Sequence, residues 1–158
     1  MKGNQDVINI FNKLLTQELS AIDLYFLHSR LFQDMGLTKL FERIDHEKDD
    51  ETIHATKLIE RIIFLEGLPE LGTRLPYKPS RDVKQLISDE LQYEVENSKL
   101  LREAIAICES VNDYVSRDIL LELLSDTEND HIDWLETQLS LIDKIGLQNY
   151  LQTASESV

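Results

Sequence analysis

Apolar residues recur along this chain at intervals of three and four and almost nowhere in alternation, a pattern that predicts amphipathic helices and no strands. The first stripe occupies residues 5–35 and stops at Gly36. The second runs from about Thr38 to Glu66 and ends against Gly67-Leu68-Pro69. The helical pattern returns at Arg81, continues to about Ser110, breaks at Val111-Asn112-Asp113, and then runs to Ile145, where Gly146 closes it. Leu147 to Leu151 is a short apolar tail that reads as a fifth, stub helix. Between the second and third stripes, residues 67–80 hold two of the five glycines and all three prolines, so they form a long irregular connection.

Four helices of roughly 28 to 33 residues are each about 40 to 50 Å long at the α-helical rise. Short joints within each pair make antiparallel hairpins, and the long middle connection can return the chain along the full length of the bundle. The expected fold is therefore all-α: an antiparallel four-helix bundle, a long crossover between helices 2 and 3, and a short fifth C-terminal helix. The length of 158 residues suits one domain spanning residues 1–158.

Each stripe carries a glutamate where a hydrophobe belongs. Glu18 stands in line with Phe11, Leu14, Ile22 and Tyr25; Glu51 stands among Ile44, Ala55, Leu58 and Ile62. Glu94 shares a face with Ile87, Leu91, Leu101 and Ile105, and Glu128 with Leu121, Leu124, Leu135 and Leu139. A bare carboxylate in an apolar core costs several kcal/mol, so four facing inward demand a common cation. Glu51 and Glu128 are each followed three residues later by a histidine, His54 and His131, on the same helical face. With 16 glutamates and four histidines in the chain, fewer than one such pair is expected by chance. Four carboxylates and two imidazoles suit a pair of redox-active first-row metals.

Charge sharpens this picture. The chain has 30 acidic and 16 basic residues, a net charge of −14, which repels nucleic acid and anionic membranes and favours cationic ligands. Hydrophobic residues make up 42% and charged residues 29%, the balance of a globular chain. No apolar run reaches membrane-spanning length, and the N-terminus lacks the apolar stretch of a secretion signal. Cys108 is the only cysteine, which excludes an internal disulfide or a cysteine metal site. Together these features place the chain in the cytoplasm.

The ligand pattern is that of ferritin-like di-iron and di-manganese proteins: one Glu from each of two helices and Glu-x-x-His from the other two. Beyond the ligands, the chain resembles the bacterioferritins through most of its length. The similarity lies in Met1-Lys2-Gly3, Tyr25-Phe26-Leu27-His28, Ile59-Glu60-Arg61-Ile62, Leu101-Arg102-Glu103-Ala104-Ile105, Asp113-Tyr114-Val115-Ser116-Arg117-Asp118, His131-Ile132-Asp133-Trp134-Leu135-Glu136 and Gly146-Leu147-Gln148-Asn149-Tyr150-Leu151. The resemblance implies a shell of 24 subunits that stores ferric mineral, and two irons per subunit oxidised from Fe(II) by O2 or H2O2. It makes Glu51 and Glu128 bridging ligands, Glu18 and Glu94 terminal carboxylates, His54 and His131 terminal imidazoles, and Tyr25 a nearby redox-active phenol. From spacing alone the better reading of Tyr25 is a core tyrosine with a satisfied hydroxyl. His46 and Asp50 match an inner-surface iron site of the family; by chemistry alone they are an exposed pair one turn apart. His28 has no carboxylate at ligand spacing and reads as structural, and Cys108 as buried packing.

One position departs from the family. The haem-binding methionine that follows the second-helix bridging glutamate is Thr52 here, and a hydroxyl is a poor axial ligand for haem iron. A homomeric shell is expected to lack haem b, and a mixed shell with a methionine-bearing sister subunit is expected to supply it. A ferredoxin-type reductant would release the iron. The competing reading is another ferritin-like di-iron or di-manganese oxidoreductase.

Overall fold

The structure is a computed structural model that describes residues 1–155. Its regular elements among the described residues are all helical: α1 (Gln5–Asp34), α2 (Thr38–Phe64), α3 (Val83–Ser110), α4 (Tyr114–Asp126), a π-helical turn (Thr127–Ile132), α5 (Asp133–Ile145) and α6 (Leu147–Ser155). The segments from α4 through α5 follow one another without a break and make the fourth rod of the bundle. The C-terminal helix is longer than the stub read from the sequence, reaching Ser155. Among the described residues no helix is long and apolar enough to cross a membrane.

The helix ends follow from local chemistry. Asn4, Asp82 and Asp113 each accept a hydrogen bond from a first-turn backbone N–H, capping α1, α3 and α4. Gly36 and Gly146 take positive φ at the ends of α1 and α5, as the sequence predicts. At the end of α2 the left-handed residue is Glu66, not Gly67. Gly67 is required there for a different reason: a Cβ on it would stand 2.7 Å from Ile8 Cγ2.

Pairings across the bundle establish the topology. His28 meets Glu90 and Glu18 meets Asn97, so α1 and α3 run antiparallel. Lys57 meets Glu122 and Arg43 meets Asp130, so α2 and the fourth rod are antiparallel as well. Residues 65–82 cross over along α1: Asn12 donates to the Leu68 carbonyl, Leu75 N–H to Ser20, Arg74 to Asp23, and His28 meets Tyr77. This ascending order is the full-length return that the prolines and glycines predict.

Two apolar clusters fill the ends of the bundle. One gathers Phe11, Leu14, Leu58, Ile62, Leu101 and Leu120; the other gathers Phe32, Leu40, Ile44, Leu86, Ile87 and Tyr150. Cys108 is buried in the first. Between them lies a belt of buried polar side chains, and this belt is the site.

Candidate metal centre

Glu18, Glu51 and Glu94 project from the middles of α1, α2 and α3, and all three are fully buried. His54 on α2 and His131 on the π-helical turn join them, also buried. The two rings stack at 6.2 Å and both turn Nδ1 toward Glu51, at 3.4 Å for His54 and 3.0 Å for His131. His54 Nδ1 is also 3.7 Å from Glu18, and His131 Nδ1 is 3.3 Å from Glu94. The ligand atoms of Glu18, Glu51 and His54 lie within 4.8 Å of one another, and so do those of Glu51, Glu94 and His131. Glu51 is common to both groups.

The outward nitrogens are held by carboxylates that the sequence reading did not single out. His54 Nε2 is 3.1 Å from Asp126, and His131 Nε2 is 2.7 Å from Glu47. Such partners orient an imidazole and raise its strength as a ligand. Asn97 donates to Glu18 at 3.1 Å, and Arg43 donates to Glu47 at 2.6 Å. Glu47 and Glu90 are buried too, so α2 and α3 each carry two inward glutamates rather than one. Their stripe positions already signalled this, Glu47 lying between Ile44 and Glu51 and Glu90 between Leu86 and Glu94.

Glu128 is the exception among the six expected ligands. The structure does not bring it to the cluster: its side chain is 42% exposed and pairs with Arg102. The buried positions of the fourth rod are Ser116, Leu120, Leu123, Thr127, His131, Leu135 and Ile142, so the inward stripe passes through Thr127, one residue before Glu128. Leu121, placed on that stripe by the sequence pattern, is exposed. The π-helical turn, with its wider hydrogen-bonded ring, keeps Thr127 and His131 in phase across four residues where an α-helix would drift.

The remaining expected residues are placed as follows. The Tyr25 hydroxyl donates to Glu94, and its ring meets the edge of His131 at 6.3 Å. Tyr25 is thus both a buried core residue and a neighbour of the cluster. His46 and Asp50 are 3.7 Å apart, with His46 exposed and outside the cluster. Thr52 is exposed, and its hydroxyl donates to the Lys48 carbonyl of its own helix. His28 has a carboxylate partner after all, Glu90 at 2.7 Å, reached across the bundle rather than along one helix.

Burial disfavours charge, yet several acids here remain near basic groups that decide the outcome. Burial, reinforced by the adjacent Glu51, pushes Glu18 up to about 8. Burial and Glu94 act on Glu51 in the same sense, but contacts with Glu18, His131 and His54 overcome them and hold it below the ordinary carboxylate value. Burial opposes protonation of His54, while Glu18 and Glu51 push it up to about 11. His131 is raised against the same opposition by Glu47, Glu51 and Glu94. Among protein groups alone, protons on the imidazoles supply the positive charge that the carboxylates require.

That supply is incomplete. Both oxygens of Glu51, Oε2 of Glu18, Oε2 of Glu94 and Nδ1 of His54 are buried and make no hydrogen bond of good geometry. Buried polar atoms are rarely left so, and here they converge. Hard oxygens with borderline nitrogens are a donor set for divalent first-row metals, and this one fits two ions sharing Glu51. An opening of about 100 Å³ between α2 and the fourth rod, lined by Asp50, Ile53, His54, Asp126, Asp130 and His131, leads to it from outside.

Residues 8–145 match the ferritin family, described as a ferritin-like domain. The chain is 54% identical over 153 residues to the bacterial ferritin of Synechocystis, covering 97% of this chain and 98% of that protein. It is 47% identical to the bacterial ferritin of Neisseria meningitidis serogroup A, over 97% of this chain and 99% of the other. It is 43% identical to the bacterioferritin of Brucella melitensis, over 96% and 94% of the two chains.

Proposed function

This chain belongs to the bacterioferritin family of ferritin-like proteins, and from that premise we propose that it is a ferroxidase subunit that stores iron. Two Fe(II) ions are its substrate, bound between the four rods and oxidised to Fe(III) by O2 or H2O2. The observation that carries this reading is the convergence of buried, hydrogen-bond-deficient ligand atoms on Glu18, Glu51, Glu94 and His54.

Each residue has a task in this reading. Asp50, Asp126 and Asp130 draw cations into the opening beside His54 and His131. Glu51 spans the two ions; Glu18 with His54 holds one, and Glu94 with His131 holds the other. Glu128 completes the second position by turning inward from Arg102 once a cation compensates its charge. Binding displaces the imidazole protons, because only the neutral ring is a ligand. Two adjacent irons can deliver two electrons to one oxidant, which avoids one-electron oxygen products. Tyr25, bonded to Glu94, stands close enough to supply a further electron.

The stored product is ferric mineral inside a shell of 24 subunits in the cytoplasm, with His46 and Asp50 as an inner-surface iron site and a ferredoxin-type reductant to release the iron. The whole chain, residues 1–158, acts as one domain. Haem b fits poorly: the Thr52 hydroxyl is engaged with Lys48 and is a weak axial ligand. A sister subunit with methionine at that position supplies haem in a mixed shell. A di-metal oxygenase acting on an organic molecule is disfavoured, because the opening is small and carboxylate-lined where such pockets measure about 300 Å³ or more.

Anaerobic titration of metal-free protein with Fe(II), followed by air and an optical spectrum, tests the proposal. Rapid oxidation that saturates at two irons per chain, without a Soret band after haem is added, is the expected result. Slow oxidation with no such break rejects the ferroxidase assignment.

A further inference from the structure

Outside the cluster, an imidazole and a carboxyl are buried against each other. His28 on α1 and Glu90 on α3 are fully shielded and pair at 2.7 Å, Nδ1 to Oε1. Buried pairs of this kind seldom stabilise a fold better than apolar side chains of similar size, so packing does not account for this one. Its neighbours do. His28 Nε2 lies 2.7 Å from the Tyr77 hydroxyl in the crossover, and Tyr77 donates at 2.9 Å to Asp89 at the bundle surface.

The proton positions follow from the partners. Because the phenol proton goes to Asp89, the Tyr77 oxygen accepts from His28, which puts the imidazole proton on Nε2. In a neutral ring Nδ1 is then the acceptor and the Glu90 carboxyl its donor. Burial, which raises Glu90 above the ordinary carboxylate range, agrees with this assignment. All three hydrogen bonds therefore point one way, from the core to the surface.

At the inner end, Glu90 Oε2 is buried and makes no hydrogen bond. Glu90 lines a narrow void whose other walls include Tyr25, Glu47 and His131, so it faces the metal centre across that gap. The gap is too tight for water, so only the side chains that line it stand between Glu90 and the centre.

We propose that Glu90, His28, Tyr77 and Asp89 form a proton-release relay from the metal centre to the α1–α3 surface. The inference rests on the ferroxidase reading, since hydrolysis of water at newly formed Fe(III) is the source of the protons. A turn of the Glu90 carboxyl toward the centre lets Oε2 take up a proton there, and Oε1–H then passes to His28 Nδ1. The Nε2 proton passes to Tyr77, the phenol proton to Asp89, and Asp89 returns one to solvent. Each group gains one proton and loses one, and rotation of the carboxyl and hydroxyl resets the chain. Cations approach past Asp50, Asp126 and Asp130 between α2 and the fourth rod. Protons leave on the opposite side, and the two flows do not compete.

The test uses Glu90→Gln, whose amide still donates to His28 but hands on no proton, and Tyr77→Phe, which severs the exit. Co(II) titration measures binding without oxidation. Stopped-flow mixing of Fe(II)-loaded protein with air, with a pH indicator, measures oxidation and proton release in H2O and in D2O. Both variants should bind Co(II) as the unaltered protein does, release protons about tenfold more slowly or worse, and show an enlarged solvent isotope effect. The double variant should be no slower than the slower single one. Unchanged proton release in both variants overturns the relay, and so does a parallel loss of Co(II) binding, which would make the pair structural. Unaltered protein that does not oxidise Fe(II) would reject the ferroxidase reading and the relay with it; normal oxidation with unaffected variants rejects the relay alone.

Discussion

The α1–α2 hairpin brings Glu18, Glu51 and His54 within 4.8 Å of one another from two regular helices. The second hairpin contributes Glu94 and His131, and its trio is completed only by Glu51 from α2. Its own second carboxylate, Glu128, points outward to Arg102. The difference tracks backbone regularity. A regular helix fixes the direction of every side chain, so the first half of the site is formed in advance. The π-helical turn of the fourth rod places His131 inward at the expense of Glu128, and such turns interrupt regular helices most often at functional sites. One half of the centre is rigid and the other adjustable.

The sharpest way to break this comparison is to remove residues that belong to one half or to both. Glu51→Ala should abolish both metal positions, taking Co(II) or Fe(II) stoichiometry from two per chain to none. Glu18→Ala should remove only the first, leaving about one per chain. Equal losses in both variants would show that the halves are not separable.

Protonation separates the halves from the apolar ends of the bundle. Glu18 is raised from 4.5 to about 8, and His54 from 6.5 to about 11. A raised folded-state value contributes stability that is full below the unfolded value and is lost as pH climbs through the folded one. Glu47 and Glu51 are lowered, so their contributions fall away only in acid, below about 4.5. Between pH 6 and pH 9 the chelated protein should therefore lose several degrees of melting temperature. Zn(II)-loaded protein should lose less, because metal binding takes the deprotonated forms, and the gap between the two should widen with pH. Calorimetric scans across that range decide it, and Glu18→Gln should flatten part of the slope.

Much of this was readable in advance, and the exceptions have physical causes. Glycines and prolines marked the crossover because they act on local backbone, and the stripes marked Glu18, Glu51, His54 and Glu94 because regular helices obey a fixed period, while His131 was marked by its place three residues after Glu128. Glu128 failed that reading because the period changes within the fourth rod, and nothing in Thr127-Glu128-Asn129-Asp130 announces a π turn. Glu47 and Glu90 were visible in register and passed over by allowing one glutamate per helix. His28 was unreadable in a stronger sense: Glu90 and Tyr77 are 62 and 49 residues away, and only the tertiary fold brings them to it.

The smallest expected effect concerns the latch on the adjustable half. Arg102 and Glu128 are 55% and 42% exposed, so the pair contributes at most about 1 kcal/mol to the fold. Breaking it with Arg102→Gln should leave the melting temperature of chelated protein within about a degree. The same change frees Glu128 to turn inward, so metal should gain what the ion pair no longer holds back. That gain is confined to the second position, because the first draws on Glu18, Glu51 and His54 alone. A two-site Co(II) isotherm should therefore show one affinity unchanged and the other tightened a few-fold. Tightening of both sites would mean that Arg102 acts by its charge on the whole centre. No tightening would mean that Glu128 stays outside and that Glu51, Glu94 and His131 hold the second ion without it.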